Sequence, residues 1–287
     1  MFPPVDTKDA NAIAAFVGSA FTRMYPGESR AWLDRLFRDV QGFFTGGHPD
    51  YGPVDLQYHD LEHTLQATTC ICLLLEGRHD SGVIPPLSAR QFELAIAATL
   101  LHDTGYLKLR SDRVGTGAKY TFYHVLRSCA FAASYLPTLG ADEIEIDIVL
   151  GAISCTGPAR EINLVQFRDP IGRVIGNALA TADYLGQMAA ADYPDRLEGL
   201  FSEFQESDDF LHLPPQRRIF KSASDLLQRT PAFWEKFVFP KLELECQAMY
   251  RFLARPYPQG SNPYLEAVDR NLAEIKRRLC VPAIGGS

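Results

Sequence analysis

The sequence lacks the features that mark membrane, exported and nucleic-acid-binding proteins. It has no run of about 18 apolar residues, so we expect no transmembrane helix. Residues 1–6 lack the charged and apolar segments of a signal peptide and do not predict export. The net charge is −7 and basic residues form no block, which disfavours binding to duplex nucleic acid. A small phosphorylated substrate is compatible with this charge, because metal ions supply positive charge locally.

Cysteine is scarce and scattered. The six cysteines include no Cys-x-x-Cys pair. A chain of 287 residues buries enough apolar surface to fold without disulfide bonds. We therefore expect reduced, buried thiols and a cytoplasmic protein.

Long alternating strand patterns, internal repeats and low-complexity tracts are also missing. Apolar residues instead recur at helical spacing nearly throughout. We predict one all-α domain over residues 1–287, in which 281–287 form a loose tail. The main helices are predicted over the following ranges: 7–24, 60–76, 88–102 with Ser88 as N-cap, 121–135, 143–153, 170–190, 195–204, 215–228, 231–251 and 263–279.

A histidine and a carboxylate stand side by side at the end of the most apolar predicted helix. The apolar run 92–101 leads directly into His102 and Asp103, and Gly105 follows. Polar groups at the buried end of a helix cost desolvation energy unless they are paired or bound. A divalent metal accepts a neutral imidazole and a carboxylate together. A buried His–Asp hydrogen bond is the alternative, and the dipeptide alone leaves both open.

Further histidine and aspartate residues occupy predicted helices. His59 and His63 are four positions apart, which places both rings on one helix face. Asp183 interrupts a helix of small and apolar residues, where a carboxylate is unfavourable unless it binds something. His124 opens another helix and is a metal ligand, a phosphate contact or a core residue. The alternatives are half-buried histidines for the first pair and a solvent-facing side chain for Asp183.

In chain order these residues give the pattern His63, His102-Asp103, Asp183 on three predicted helices. This pattern resembles the H…HD…D signature of the HD-domain metal-dependent phosphohydrolase superfamily. Residues 58–64 also resemble the Y-H-N-x-x-H-A motif of class I cyclic nucleotide phosphodiesterases, and residues 179–188 the family's last-ligand helix. The resemblance implies an HD-domain helical bundle as a metal-binding catalytic core over residues 55–210. Residues 1–54 and 211–287 are then N- and C-terminal helical extensions.

The resemblance also implies roles for individual residues. His63, His102, Asp103 and Asp183 would bind one divalent metal, and Asp103 would bridge to a second ion. His59 matches the proton donor to the leaving oxygen. His124 falls where HD enzymes with a second metal often have a ligand. Mixed nitrogen and oxygen ligands suit Mg, Mn, Fe, Ni or Zn, in one or two sites.

We therefore expect a phosphohydrolase that cleaves a phosphomonoester or phosphodiester in a small molecule, such as a nucleotide. A bound metal lowers the pKa of water from ~15.7 towards ~7, and histidine titrates in the range needed to protonate a leaving alkoxide. Gln187, one turn from Asp183, is expected to touch metal-bound water or a metal ligand. Nearby basic residues are candidate phosphate contacts or solvated surface residues: Lys108, Arg110, Arg113, Lys119 and Arg127.

The chain departs from the family patterns in two places. Residues 148–158 contain no histidine, although related enzymes have further histidines there, and residues 104–108 lack the Gly-Tyr-Pro signature of cyclic-dinucleotide enzymes. These departures motivate a second hypothesis, an HD-fold ligand-binding or signalling module with little or no activity. A third hypothesis, a metal oxygenase, would need a di-iron site with more histidine ligands. The sequence predicts neither the oligomeric state nor the substrate.

Overall fold

Helices account for the regular structure in the computed structural model, which describes residues 2–157 and 161–280. Within these ranges, extended pairing is confined to two isolated bridges, Tyr51 with Leu109 and Arg255 with Ser261. The prediction of an all-α fold is confirmed. Among the described helices, none combines the length and apolar character needed to cross a bilayer. Pro158, at the end of the histidine-free segment, and the predicted tail 281–287 lie outside the described residues.

The α-helices of the described residues follow in chain order: α1 Ala10–Met24, α2 Ala31–Thr45, α3 Leu61–Asp80, α4 Ala89–Leu101, α5 His124–Tyr135, α6 Glu143–Ile153, α7 Pro170–Met188, α8 Tyr193–Phe210, α9 Ala223–Phe233, α10 Phe239–Leu244 and α11 Pro263–Cys280. Short 3₁₀ turns at Thr104–Tyr106 and Gly117–Tyr120 connect α4 to α5.

Four central helices, α3, α4, α6 and α7, pack against one another and form most of the core. All ten residues of the run 92–101 in α4 are buried, as its apolar composition predicts. The backbones of α3 and α7 approach closely at Gly186, where an added Cβ would lie 2.8 Å from the Ala67 nitrogen. This approach brings the first turn of α3 towards the middle of α7.

Side-chain caps define where the central helices begin. Ser88 and Gln91 form a capping box at the start of α4, which confirms the predicted N-cap. Asp60 accepts a hydrogen bond of 2.9 Å from the backbone nitrogen of His63 and so caps α3. Asp169 caps α7, and Pro170 follows at a position where its missing N–H is harmless.

The predicted C-terminal helices 215–228 and 231–251 are wrong in their extent. The first begins only at Ala223, after a 3₁₀ turn, and continues past Pro231 to Phe233. The second divides into a π-helical turn Trp234–Val238, α10 and a 3₁₀ turn Met249–Leu253. Proline provides no amide donor and crowds the preceding turn, and Pro231 and Pro240 flank the widened π turn.

The terminal helices pack directly on the central ones. α1 contacts α2, α3 and α4, whereas α11 contacts α7, α8 and α9. α8 is longer than the predicted range 195–204 and also packs on the turn Gly117–Tyr120. The division into a core over 55–210 and two extensions stays a prediction.

Candidate metal centre

Four predicted ligands from three helical segments converge in the core. His63 lies in the first turn of α3, His102 and Asp103 directly follow α4, and Asp183 lies in the middle of α7. Their exposed fractions are 2%, 1%, 2% and 9%. The sequence pattern therefore brings together residues up to 120 positions apart in a buried cluster.

The ligand atoms of this cluster face one another at short distances. His63 Nε2 lies 3.2 Å from Asp103 Oδ2 and 3.4 Å from Asp183 Oδ1. His102 Nε2 lies 3.3 Å and 3.7 Å from the same two oxygens. Ligands that share one ion through bonds of about 2.0–2.2 Å are separated by roughly 3–3.5 Å when the geometry is tetrahedral. The spacing therefore suits a single metal ion held by two nitrogens and two oxygens.

Two of these atoms lack any hydrogen-bond partner among the described residues. His102 Nε2 and Asp103 Oδ2 are buried and unsatisfied. Thr99 O lies 2.7 Å from His102 Nδ1, so Nδ1 carries the proton of the neutral ring and Nε2 carries a lone pair. Two facing lone-pair acceptors repel each other unless a cation or a proton lies between them. With a neutral His102 ring, the His102–Asp103 hydrogen bond that the sequence leaves open is not made.

The pKa shifts within the cluster also indicate that the two carboxylates favour a bound positive charge. Burial lowers the pKa of His63, but the neighbouring Asp103 and Asp183 carboxylates outweigh burial and raise it to about 10. The same carboxylates raise the pKa of His102 against the effect of burial. Burial raises the pKa of Asp103 and Asp183, but the nearby imidazoles hold both carboxyls below their usual range. A divalent cation would replace the protons that these carboxylates otherwise retain on the rings.

His124 faces the other oxygen of Asp103. Its Nε2 lies 3.6 Å from Asp103 Oδ1, and its Nδ1 lies 2.7 Å from Thr121 O. The largest effect on its pKa is burial, which lowers it and favours the neutral, ligating ring. Gly105 permits this arrangement, because any Cβ there would overlap the backbone oxygen of His124. Asp103 therefore has His102 near one carboxylate oxygen and His124 near the other, as a carboxylate that bridges two ions would. The second ion stays a prediction.

His59 is held beside the cluster by a carboxylate on α8. Its Nδ1 lies 2.5 Å from Glu203 Oε2, and Glu203 Oε1 accepts a hydrogen bond of 2.6 Å from the Tyr58 nitrogen. The Tyr106 ring stacks on both His59 and His124, with centroid distances of 4.7 Å and 4.6 Å. Sequence reasoning missed Glu203 and Tyr106. No local pattern distinguishes either residue, because both contribute through tertiary contacts.

Gln187 contacts a predicted metal ligand. Its Nε2 donates to Asp183 Oδ1 at 3.1 Å and to the Asp183 carbonyl at 3.0 Å. Tyr58 Oη donates in turn to Gln187 Oε1 at 2.7 Å. These bonds orient the Asp183 carboxylate towards the two histidines.

The predicted phosphate contacts are bound to protein oxygens. Lys108 pairs with Asp55 at 3.1 Å, and the buried Lys119 pairs with Asp112 at 2.5 Å. Arg127 donates to two backbone oxygens of the segment that follows Asp103, those of Gly105 and Leu107, and Arg110 bonds to carbonyls in the segment 46–49. Arg127 therefore supports the ligand-bearing segment. Phosphate binding by these residues and by Arg113 stays a prediction.

No family model matches the sequence, and no curated protein matches it. The functional assignment therefore depends on the geometry of the four-ligand cluster and its neighbours.

Proposed function

We propose that this protein is a metal-dependent phosphohydrolase of the HD type that cleaves a phosphomonoester or phosphodiester in a small molecule, such as a nucleotide. One observation carries the proposal. His102 Nε2 and Asp103 Oδ2 face each other without a hydrogen bond in a buried cluster that His63 and Asp183 complete. This mixed donor set fits a divalent ion.

His63, His102, Asp103 and Asp183 would hold the ion. When bound, a divalent metal supplies Lewis acidity towards a phosphoryl oxygen and makes water nucleophilic at neutral pH. The His102 ring is fixed by a backbone contact between Nδ1 and Thr99 O. Gln187 fixes the Asp183 carboxylate in the same way. The protein therefore presents these ligands with little reorganisation.

His59 is the candidate proton donor to the leaving group. Glu203 accepts the Nδ1 proton of His59 and stabilises the ring when it is positively charged. A proton delivered to substrate therefore leaves from Nε2. Stacking on Tyr106 restrains the plane of the ring. His59 and Glu203 together would act as a general acid of defined orientation.

The decisive experiment compares metal content and hydrolysis in purified variants. His102→Ala and Asp103→Ala should both lose bound metal and lose hydrolysis of p-nitrophenyl phosphate, bis-p-nitrophenyl phosphate and a nucleotide panel. His79→Ala is the matched control, because His79 is an exposed histidine at the far end of α3. Hydrolysis that survives in either cluster variant would rule out this mechanism.

A second candidate is an HD-fold binding or signalling module with little or no catalysis. The way in which the nearby basic residues are paired favours this candidate. Lys108, Lys119 and Arg127 already bind protein oxygens, so they offer less positive charge to a phosphate. A metal-loaded wild-type protein that is inactive across the whole substrate panel would support the module over the enzyme.

A further inference from the structure

A cavity of about 540 Å³ lies beside the metal centre and takes no part in the proposed chemistry. The N-terminal segment 2–8 forms one wall. One face of α3, the end of α7 with the following residues 189–192, and Tyr264 of α11 form the others. Small-molecule sites in proteins occupy about 300–1,000 Å³, so the cavity has the size of a ligand site.

The local sequence explains why this space is open. Glu62, Gln66 and Thr69 are spaced at i, i+4 and i+7, so α3 turns one continuous polar face towards the cavity. Opposite them, α7 ends in small residues that leave the volume unfilled, including Gly186 and Ala189. The N-terminal segment crosses this gap, and the rings of Phe2 and Tyr264 meet edge to face at 4.7 Å. Apolar and aromatic groups thus enclose a polar strip.

The charged groups of the wall are mostly negative. Among the described residues of the wall, Asp6, Glu62 and Asp192 contribute three carboxylates and Lys8 contributes one amine. The Glu62 side chain is only 19% exposed, and its two polar contacts are long, 3.4 Å to Gln66 Nε2 and 3.7 Å to an Arg196 nitrogen. Glu62 is half-buried with long polar contacts, and carboxylates outnumber amines in the described wall, so a cationic ligand is favoured.

The cavity is separated from the metal ligands by a short barrier. A separate space of about 10 Å³ reaches His63, and Gln66 and Ala190 line both this gap and the cavity. The Tyr58–Gln187 hydrogen bond lies on the gap, next to His63. This space accommodates roughly one water-sized probe, so a cavity ligand would not reach the ion.

We propose that this cavity binds a small organic cation with an apolar body and one protonated amine. The amine pairs with Glu62 and Asp192, and the body packs against Phe2, Val5 and Tyr264. This binding is independent of phosphoester hydrolysis, since it uses none of the metal ligands.

Calorimetric titration of the full-length protein tests the charge preference. Phenethylamine and tryptamine should bind saturably with one site per chain. Their size-matched carboxylates, 3-phenylpropanoate and indole-3-propanoate, should bind at least tenfold more weakly. No binding of either amine at millimolar concentration, or equal binding of amine and carboxylate, would overturn the proposal.

Two variants locate the site. Glu62→Gln should weaken amine binding at least tenfold, whereas Glu198→Gln, the same change at an exposed position of α8, should leave it unchanged. Ala191→Trp places a large ring at the exposed rim and should block binding, whereas Ala130→Trp on exposed α5 surface should not. Unaltered circular dichroism establishes that each variant folds. Amine binding that persists in Ala191→Trp would exclude this cavity, whatever the hydrolytic activity proves to be.

Discussion

At the scale of single residues, the site depends on side chains that contact the ligands as much as on the ligands themselves. Glu203, Tyr106 and Gln187 each restrain a residue of the cluster or its neighbour His59. Such supporting residues commonly change metal affinity or activity by about 10- to 100-fold when they are removed. Substituting these residues therefore distinguishes an effect on proton transfer from an effect on metal binding.

Glu203→Gln should lower kcat about 10- to 100-fold while metal content stays at the wild-type level. The amide still occupies the space beside His59 but carries no charge, so it cannot stabilise a positively charged imidazole during proton transfer. Steady-state kinetics and metal analysis check this, with Glu198→Gln as control. A variant that simply loses its metal would contradict the assigned role.

Metal affinity should rise with pH. The pKa of His63 is raised to about 10 in the metal-free cluster, so this ring is protonated at neutral pH and must lose its proton to bind an ion. Each proton released gives about a tenfold gain in affinity per pH unit below that pKa. Titration calorimetry in buffers of different ionisation enthalpy counts the protons. A metal affinity that does not change from pH 6 to 9 would show that metal binding displaces no protons from the imidazoles.

At the scale of elements, the site depends on close backbone contacts that a side chain at the contact point would obstruct. The turn Thr104–Tyr106 lies against the start of α5, and α3 lies against α7. Gly105 and Gly186 stand at these two contacts. The helix backbones therefore determine the separations of the ligands.

Gly105→Ala should destabilise the protein by about 1–3 kcal/mol, because the new methyl group would overlap the His124 carbonyl and push α5 from the turn. Gly42→Ala is the control: no neighbouring atom lies within 4 Å of its added Cβ, and alanine favours a helix interior. Urea unfolding of the metal-free proteins gives both values. Equal stability of the two variants would mean that the contact at Gly105 is not tight.

At the scale of the whole molecule, metal binding and stability should be linked through pH. The raised pKa of His63 stabilises the folded, metal-free protein fully below the unfolded value of about 6.5, and this contribution is lost as pH rises towards 10. The Tm of chelator-treated protein should therefore fall from pH 7 to 10. Excess metal should remove much of this fall, because the ion replaces the lost proton and binds only the folded state.

Differential scanning fluorimetry with and without chelator measures these transitions. His102→Ala should respond little to added metal at any pH, since it lacks one ligand. A chelator-treated wild type whose Tm is constant over this range would contradict the proposed coupling between His63 and its carboxylates.

The sequence identifies the residues of the cluster better than the residues that surround it. His63, His102, Asp103 and Asp183 stand out because polar residues interrupt apolar helices, and the structure gathers them, whereas their role as metal ligands stays a prediction. Glu203 carries no such signal, since its partner Tyr58 is 145 positions away. The ion pair of Lys108 with Asp55 likewise arises from tertiary packing, whereas that of Lys119 with Asp112 is local to one connecting segment. The predicted C-terminal helices are wrong because Pro231 indicates a helix boundary, whereas the helix continues through it and then widens into a π turn.

The ligands come from three segments that are separated by roughly 40 and roughly 80 positions, and closing loops of that length restricts an unfolded chain by several kcal/mol. A bound ion would therefore act as a reversible cross-link between the ends of α3 and α4 and the middle of α7. Removing it should speed amide hydrogen exchange in all three helices together, including amides of α4 far from the ligands. The ion proposed for hydrolysis would then also determine whether α3, α4 and α7 unfold locally one at a time or together.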